Sequence, residues 1–238
     1  MEFNIKLPFF GQLENFIADI PGWTPIDELY TLYLLAITTN DIQGDIVEIG
    51  SWCGRSAVVL GFAASQMRDT KVYAIDLFPE KNDWRKLPDG SYDFKVVVNG
   101  NIFGLDGQNT FWPEVYEKQI VPLYNKHNGV LDIFNENVKR AGLLNVVKSV
   151  KNTSDWVSGN NDLKIKLAFI DGDHSYNAVL KDLEQIEKKL QSGGWICFDD
   201  AFSDYVGVGQ VINDRIIGNP DYEFAHLVTR KLFVARRK

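Results

Sequence analysis

Val47-Glu48-Ile49-Gly50-Ser51-Trp52-Cys53-Gly54-Arg55-Ser56 is the stretch that decides the fold of this 238-residue chain. Residues 45–49 are an apolar run that reads as a buried strand, and 56–67 follow with a helical pattern. Gly50 and Gly54 bracket the tight turn between them. Glycine lets the backbone turn sharply and lets a ligand approach where a Cβ would stand. Amides at the start of the next helix attract a carboxylate or a phosphate. A dinucleotide loop would read G-x-G-x-x-G. This one reads E-x-G-x-x-x-G, and without the middle glycine a pyrophosphate finds less room.

Outward from this turn, strands and helices alternate. Residues 71–75, 145–150, 166–170 and 195–198 read as strands. Residues 130–141 read as a helix closed by Gly142. Residues 178–190 form an amphipathic helix with Val179, Leu183, Ile186 and Leu190 on one face, ended by Ser192-Gly193-Gly194. Two last strands, 222–228 and 232–235, are close enough to pair as an antiparallel edge. The pattern predicts an α/β protein with a Rossmann-like, doubly wound, mostly parallel sheet.

Residues 1–40 form an N-terminal helical region. In it Thr24 caps a helix, Pro25 takes its first turn, and Asp27 and Glu28 lie near the positive end of its dipole. Residues 79–129 are a long insertion after the second strand, rich in aromatics such as Trp84, Tyr92, Phe111 and Trp112. The insertion leaves the strand end where ligands bind in such sheets, and so reads as a lid or substrate loop. A structural insertion with its own aromatic cluster is the alternative.

With 45% apolar and 24% charged residues the chain is not a disordered one. A net charge of −7 argues against nucleic acid as a partner. The basic cluster Arg230, Lys231, Arg236, Arg237 and Lys238 reads as a solvated charged end. No apolar run approaches the about 20 residues that span a bilayer, and the N-terminus lacks a signal-peptide pattern. Cys53 and Cys197 read as buried free thiols. A cytoplasmic protein with no membrane partner is expected. Phe9, Phe10 and Trp23 suit either core packing or a homo-oligomer in which they cover a neighbour's site.

The chemistry gathers at three strand ends. Asp76, 26 residues after Gly50, can accept both hydroxyls of a ribose. Asp171-Gly172-Asp173-His174 follows one buried strand and Asp199-Asp200 follows another. If these strands are neighbours, Asp171, Asp199 and Asp200 converge, and three carboxylates side by side need a compensating charge. A hard divalent cation such as Mg²⁺ suits an all-oxygen set. His174 is placed to take a proton, with an ordinary pKa near neutrality.

These residues resemble the class I S-adenosylmethionine-dependent methyltransferases, and among them the metal-dependent small-molecule O-methyltransferases. The loop is similar to the E-x-G-x-Y-C-G-x-S motif of catechol O-methyltransferases, with Trp52 in place of tyrosine. The resemblance implies a seven-stranded sheet, with residues 41–238 as the methyltransferase domain. It implies S-adenosylmethionine bound by Glu48, Gly50, Ser51, Trp52, Gly54, Ser56, Asp76 and Asp171, with Ser154 and Asp155 near the adenine. It also implies Mg²⁺ on Asp171, Asp199 and Asp200. Catechol enzymes carry a lysine base where this chain has His174, and an asparagine where it has Asp200. Both departures look more like the enzymes that methylate sugar hydroxyls on antibiotics. The small-molecule acceptor is therefore a sugar or a phenolic diol. An NAD-type oxidoreductase and a non-catalytic binding protein are the rival readings.

Overall fold

The stretch quoted first folds as expected in the computed structural model, which describes residues 10–104 and 110–238. Two helices, α1 (Phe10–Ala18) and α2 (Ile26–Thr38), precede β1 (Asp45–Ile49), α3 (Arg55–Ala64) and β2 (Val72–Asp76). The insertion then forms β3 (Trp84–Lys86), β4 (Tyr92–Val98), β5 (Asn101–Gly104) and α4 (Pro113–Val115), which runs on as helical turns to Asn125. After it come α5 (Val130–Arg140), β6 (Val147–Lys151), α6 (Asp155–Gly159), β7 (Ile165–Ile170), α7 (Tyr176–Glu187) and β8 (Leu190–Phe198). The chain closes with α8 (Val206–Arg215), β9 (Tyr222–Leu227) and β10 (Phe233–Arg237).

Seven strands form one sheet in the order β6-β2-β1-β7-β8-β10-β9. The first five are parallel, and β10 runs antiparallel to both β8 and β9. Side chains alternate between two cores, as the period of a strand requires. Leu167 and Phe169 of β7 face the core built with α2, α3 and α5, while Ala168 and Ile170 face the one built with α7 and α8. Cys53 and Cys197 are free and buried. Among the described residues no helix is long and apolar enough to cross a membrane. Phe9 lies outside the described residues, as does the side chain of Phe10; Trp23 is half-exposed.

Three local readings need correction. Ser192-Gly193-Gly194 does not end α7, which stops at Glu187; it lies inside β8. There a bulge takes up the extra residues, because Ile165 pairs with Leu190 while Leu167 pairs with Trp195. Thr24 does not cap α2 by its side chain; Pro25 precedes the helix in an extended conformation. The basic C-terminal cluster is not simply solvated: Arg236 pairs with Glu223, Arg237 with Asp221, and Lys231 is buried against two aspartates.

Phe134 of α5 fills the space beneath the glycine turn. Its ring meets Phe78 edge-on at 5.2 Å, and a Cβ at Gly54 would stand 2.9 Å from it. Phe134→Ala should lower unfolding free energy by about 3–5 kcal/mol, read from urea denaturation. A loss below about 1 kcal/mol would mean that the site closes over the gap.

Candidate active site

The C-terminal ends of β1, β2, β7 and β8 open into a cavity of about 700 Å³, bordered on its far side by the insertion. That volume suits a cofactor together with a small substrate. The turn after β1 must be glycine. Gly50 has φ +90°, and a Cβ there would stand 2.0 Å from the Asp171 carbonyl oxygen. The β1 and β7 ends are therefore pressed together, and the turn touches the acid loop directly. Trp52 holds a left-handed φ of 44° at the position that a dinucleotide loop gives to glycine. Its indole instead packs against Trp23 at 5.6 Å and Trp84 at 6.4 Å. Phe78, Asp200 and Phe202 share the left-handed backbone, each on a loop leaving β2 or β8. Such strain gathers where a fold is shaped for a ligand.

Asp76 stands at the end of β2, where the sequence reading placed it. Its carboxylate accepts hydrogen bonds from the Trp52 amide at 2.9 Å and the Phe78 amide at 2.5 Å. Burial pushes its pKa up, and those amides hold it back. Two amides leave lone pairs on both oxygens for further donors. Ser51 and Ser154 also border the cavity, with buried hydroxyls that have no partner among the described residues. An acid at the strand end, two orphaned hydroxyls and a glycine-walled turn fit the ribose, amino-acid and adenine parts of S-adenosylmethionine.

Gly50, Ser51, Trp52, Ser56, Asp76, Ser154 and Asp171 all line the cavity; Glu48, Gly54 and Asp155 do not. Asp155 pairs at 2.7 Å with Lys181, which does border the cavity. Glu48 lies wholly inside the sheet, with neither oxygen in a hydrogen bond among the described residues. Burial pushes its pKa up to about 7, tempered by the nearby Ser51 and Ser56 hydroxyls. Asp182 of α7 went unnoticed in the sequence. It is buried at the cavity wall near Ser154, and burial pushes its pKa to about 7.

Asp171, Asp199, Asp200 and His174 do converge, because β7 and β8 are neighbours. His174 Nε2 lies 3.6 Å from both Asp171 Oδ1 and Asp200 Oδ2, is buried and makes no hydrogen bond among the described residues. Burial lowers its pKa, against the pull of Asp200 and Asp199. The ring lies 4.5 Å from that of Tyr205. Gly207 lets α8 close on this loop, since a Cβ there would stand 2.5 Å from the His174 carbonyl oxygen.

Two further groups join the cluster, and neither was expected. Glu28 of α2 is fully buried; Thr229 Oγ1 donates to its Oε1 at 3.0 Å, and burial, then Asp199, pushes its pKa up to about 8. Lys231, from the turn before β10, places Nζ 3.1 Å from Asp199 Oδ2 and 3.1 Å from Asp200 Oδ1. This ammonium supplies the compensating charge that the acids require. Among the described residues no three His, Cys, Asp or Glu side chains are arranged to hold a metal ion. A divalent ion on Asp199 and Asp200 would have to displace Lys231, so the residues as placed do not fit one.

A family model for a methyltransferase domain matches residues 47–201, more than half of the chain. The fold is similar to that of the O-methyltransferase NovP, at 16% identity over 90% of this chain and 80% of that one, with a TM-score of 0.60. It is similar to an O-methyltransferase from Bacillus cereus in complex with SAH, at 14% identity over 99% and 94% of the two chains, with a TM-score of 0.59. The calicheamicin methyltransferase CalS11 is also similar, at 14% identity over 95% and 90%, with a TM-score of 0.58. The sheet order and these likenesses identify the class I S-adenosylmethionine-dependent methyltransferase fold.

Glu48 makes stability depend on pH. Its pKa rises from an ordinary 4.5 to about 7 in the folded chain. Between those values the unfolded chain has released the proton and the folded one keeps it, so stability falls as pH rises through that window. Glu48→Gln should flatten the fall in urea midpoint between pH 5 and about pH 7. Parallel profiles for wild type and variant would contradict this.

Proposed function

The chain belongs to the methyltransferase-domain family, and we propose that it transfers a methyl group from S-adenosylmethionine to a hydroxyl oxygen of a small molecule. The observation that carries the oxygen acceptor is His174: a largely buried imidazole at the cavity wall whose Nε2 makes no hydrogen bond among the described residues. Its lowered pKa keeps it neutral near pH 7, with a lone pair ready for a proton.

When bound, S-adenosylmethionine supplies a methyl carbon made electrophilic by its sulfonium. Asp76 would hold its ribose, Ser51 and the turn at Gly50 would take its amino-acid part, and Ser154 would lie toward the adenine. His174 Nε2 would accept the proton of the acceptor hydroxyl as its oxygen takes the methyl group, with the thioether as leaving group. Asp200 flanks the imidazole at 3.6 Å and, with Asp199, favours the positive charge it gains. Mg²⁺, implied by the resemblance, does not fit here, because Lys231 holds one oxygen each of Asp199 and Asp200.

The insertion supplies the acceptor side. Phe94, Phe103, Phe111 and Trp112 border the cavity, and Trp23 packs against Phe111 at 5.7 Å. Such a wall suits a flat phenolic ring or the apolar face of a sugar. CalS11 is described as a TDP-rhamnose 3'-O-methyltransferase, which keeps sugar hydroxyls in the class to test. Buried free thiols suit a reducing compartment such as the cytoplasm.

The test is transfer of a tritiated methyl group from S-adenosylmethionine to a panel of phenols, catechols and sugars. Wild type should label a hydroxyl compound. His174→Ala should lower kcat by about 10²-fold or more, with affinity for S-adenosylhomocysteine unchanged by calorimetry. Full turnover in His174→Ala would overturn the base, and labelling of amines alone would overturn the oxygen acceptor.

A further inference from the structure

Lys231 is fixed by three parts of the fold. Its carbonyl oxygen accepts a hydrogen bond from the Ala201 amide at 2.8 Å, immediately after the aspartate pair. Thr229 Oγ1 accepts from the Leu232 amide at 3.0 Å, which folds the turn, and donates to Glu28 Oε1 of α2. The side chain is 13% exposed and ends between Asp199 and Asp200, with Nζ 3.1 Å from an oxygen of each. Lys231 also borders the cavity.

We infer that Lys231 is a built-in cation that takes the place of a divalent metal, so that this enzyme needs none to hold its acceptor. The inference rests on the methyl-transfer reading above. A small divalent ion takes carboxylate oxygens at about 2.0–2.1 Å. Here one oxygen of each aspartate is already spent on a buried ammonium, and a second positive charge would be repelled by it. The turn that Thr229, Glu28 and Ala201 hold keeps the Lys231 backbone beside the aspartate pair.

The acceptor class narrows as a result. A metal ion grips two neighbouring oxygens at once and so favours diols. An ammonium donates hydrogen bonds without requiring chelation. The acceptor is then a compound with a single reacting hydroxyl, a monophenol or a lone sugar hydroxyl, with no adjacent oxygen required.

Mn²⁺ binding to the full chain, followed by loss of the free-ion paramagnetic resonance signal, tests the inference. Wild type, Lys231→Arg, Lys231→Met and Lys231→Ala are compared, with thermal melting and S-adenosylhomocysteine calorimetry on each. Wild type and Lys231→Arg should leave millimolar Mn²⁺ free, while Lys231→Ala or Lys231→Met should bind it at least tenfold more tightly. Methyl transfer by wild type to a monophenol or a sugar should persist in EDTA. Micromolar Mn²⁺ binding by wild type, or no gain in binding by folded Lys231→Ala and Lys231→Met, would overturn the inference. Absence of S-adenosylhomocysteine binding to wild type would overturn the methyl-transfer reading instead, and the Mn²⁺ comparison would still decide whether Lys231 excludes a metal.

Discussion

Four carboxyl groups and one ammonium share a small volume at the ends of β7 and β8. Glu28 comes from α2, Asp171 from the end of β7, Asp199 and Asp200 from the end of β8, and Lys231 from the turn before β10. Burial works against the Lys231 charge, but the surrounding acids more than offset it and raise its pKa. Asp171 is pushed well up, first by burial and then by Asp199. Removing one partner from such a cluster leaves an uncompensated buried charge, which is costly. The cluster thus ties the N-terminal helices, the centre of the sheet and the antiparallel edge to one point.

The cluster and the cofactor cleft are not independent. At Gly50 the turn after β1 lies against the Asp171 backbone, so what holds the cofactor and what carries the acids are one contact apart. On the far side, Gly207 lets α8 pack on the backbone around His174. The imidazole itself packs against the ring of Tyr205, 4.5 Å away, just before α8.

The parallel core was legible because its strands are short apolar runs between glycine turns and amphipathic helices. Asp76, Asp171, Asp199, Asp200 and His174 were legible because each follows such a strand directly. Lys231 was not: it is about thirty residues from the aspartates in sequence, and its basic neighbours, Arg230 among them, suggest a solvated end. Glu28 looked like a favourable acid in a helix's first turn, since only the packing of α2 shows that it is buried. Asp155 sits beside Ser154 in sequence, yet a short helix turns it toward Lys181. The strands of the insertion escaped notice because their aromatics serve both a cluster of their own and the cavity wall.

The central claim is that one cleft carries an adenosyl cofactor beside an aspartate pair already bridged by Lys231. The most direct measurement is diffraction from crystals grown with S-adenosylhomocysteine and Mn²⁺, with data collected at the manganese edge. The account predicts adenosyl density along the ends of β1 and β2, the ribose on Asp76, Lys231 still between Asp199 and Asp200, and no anomalous peak there. An empty cleft, or a manganese peak between those aspartates with Lys231 displaced, would contradict it.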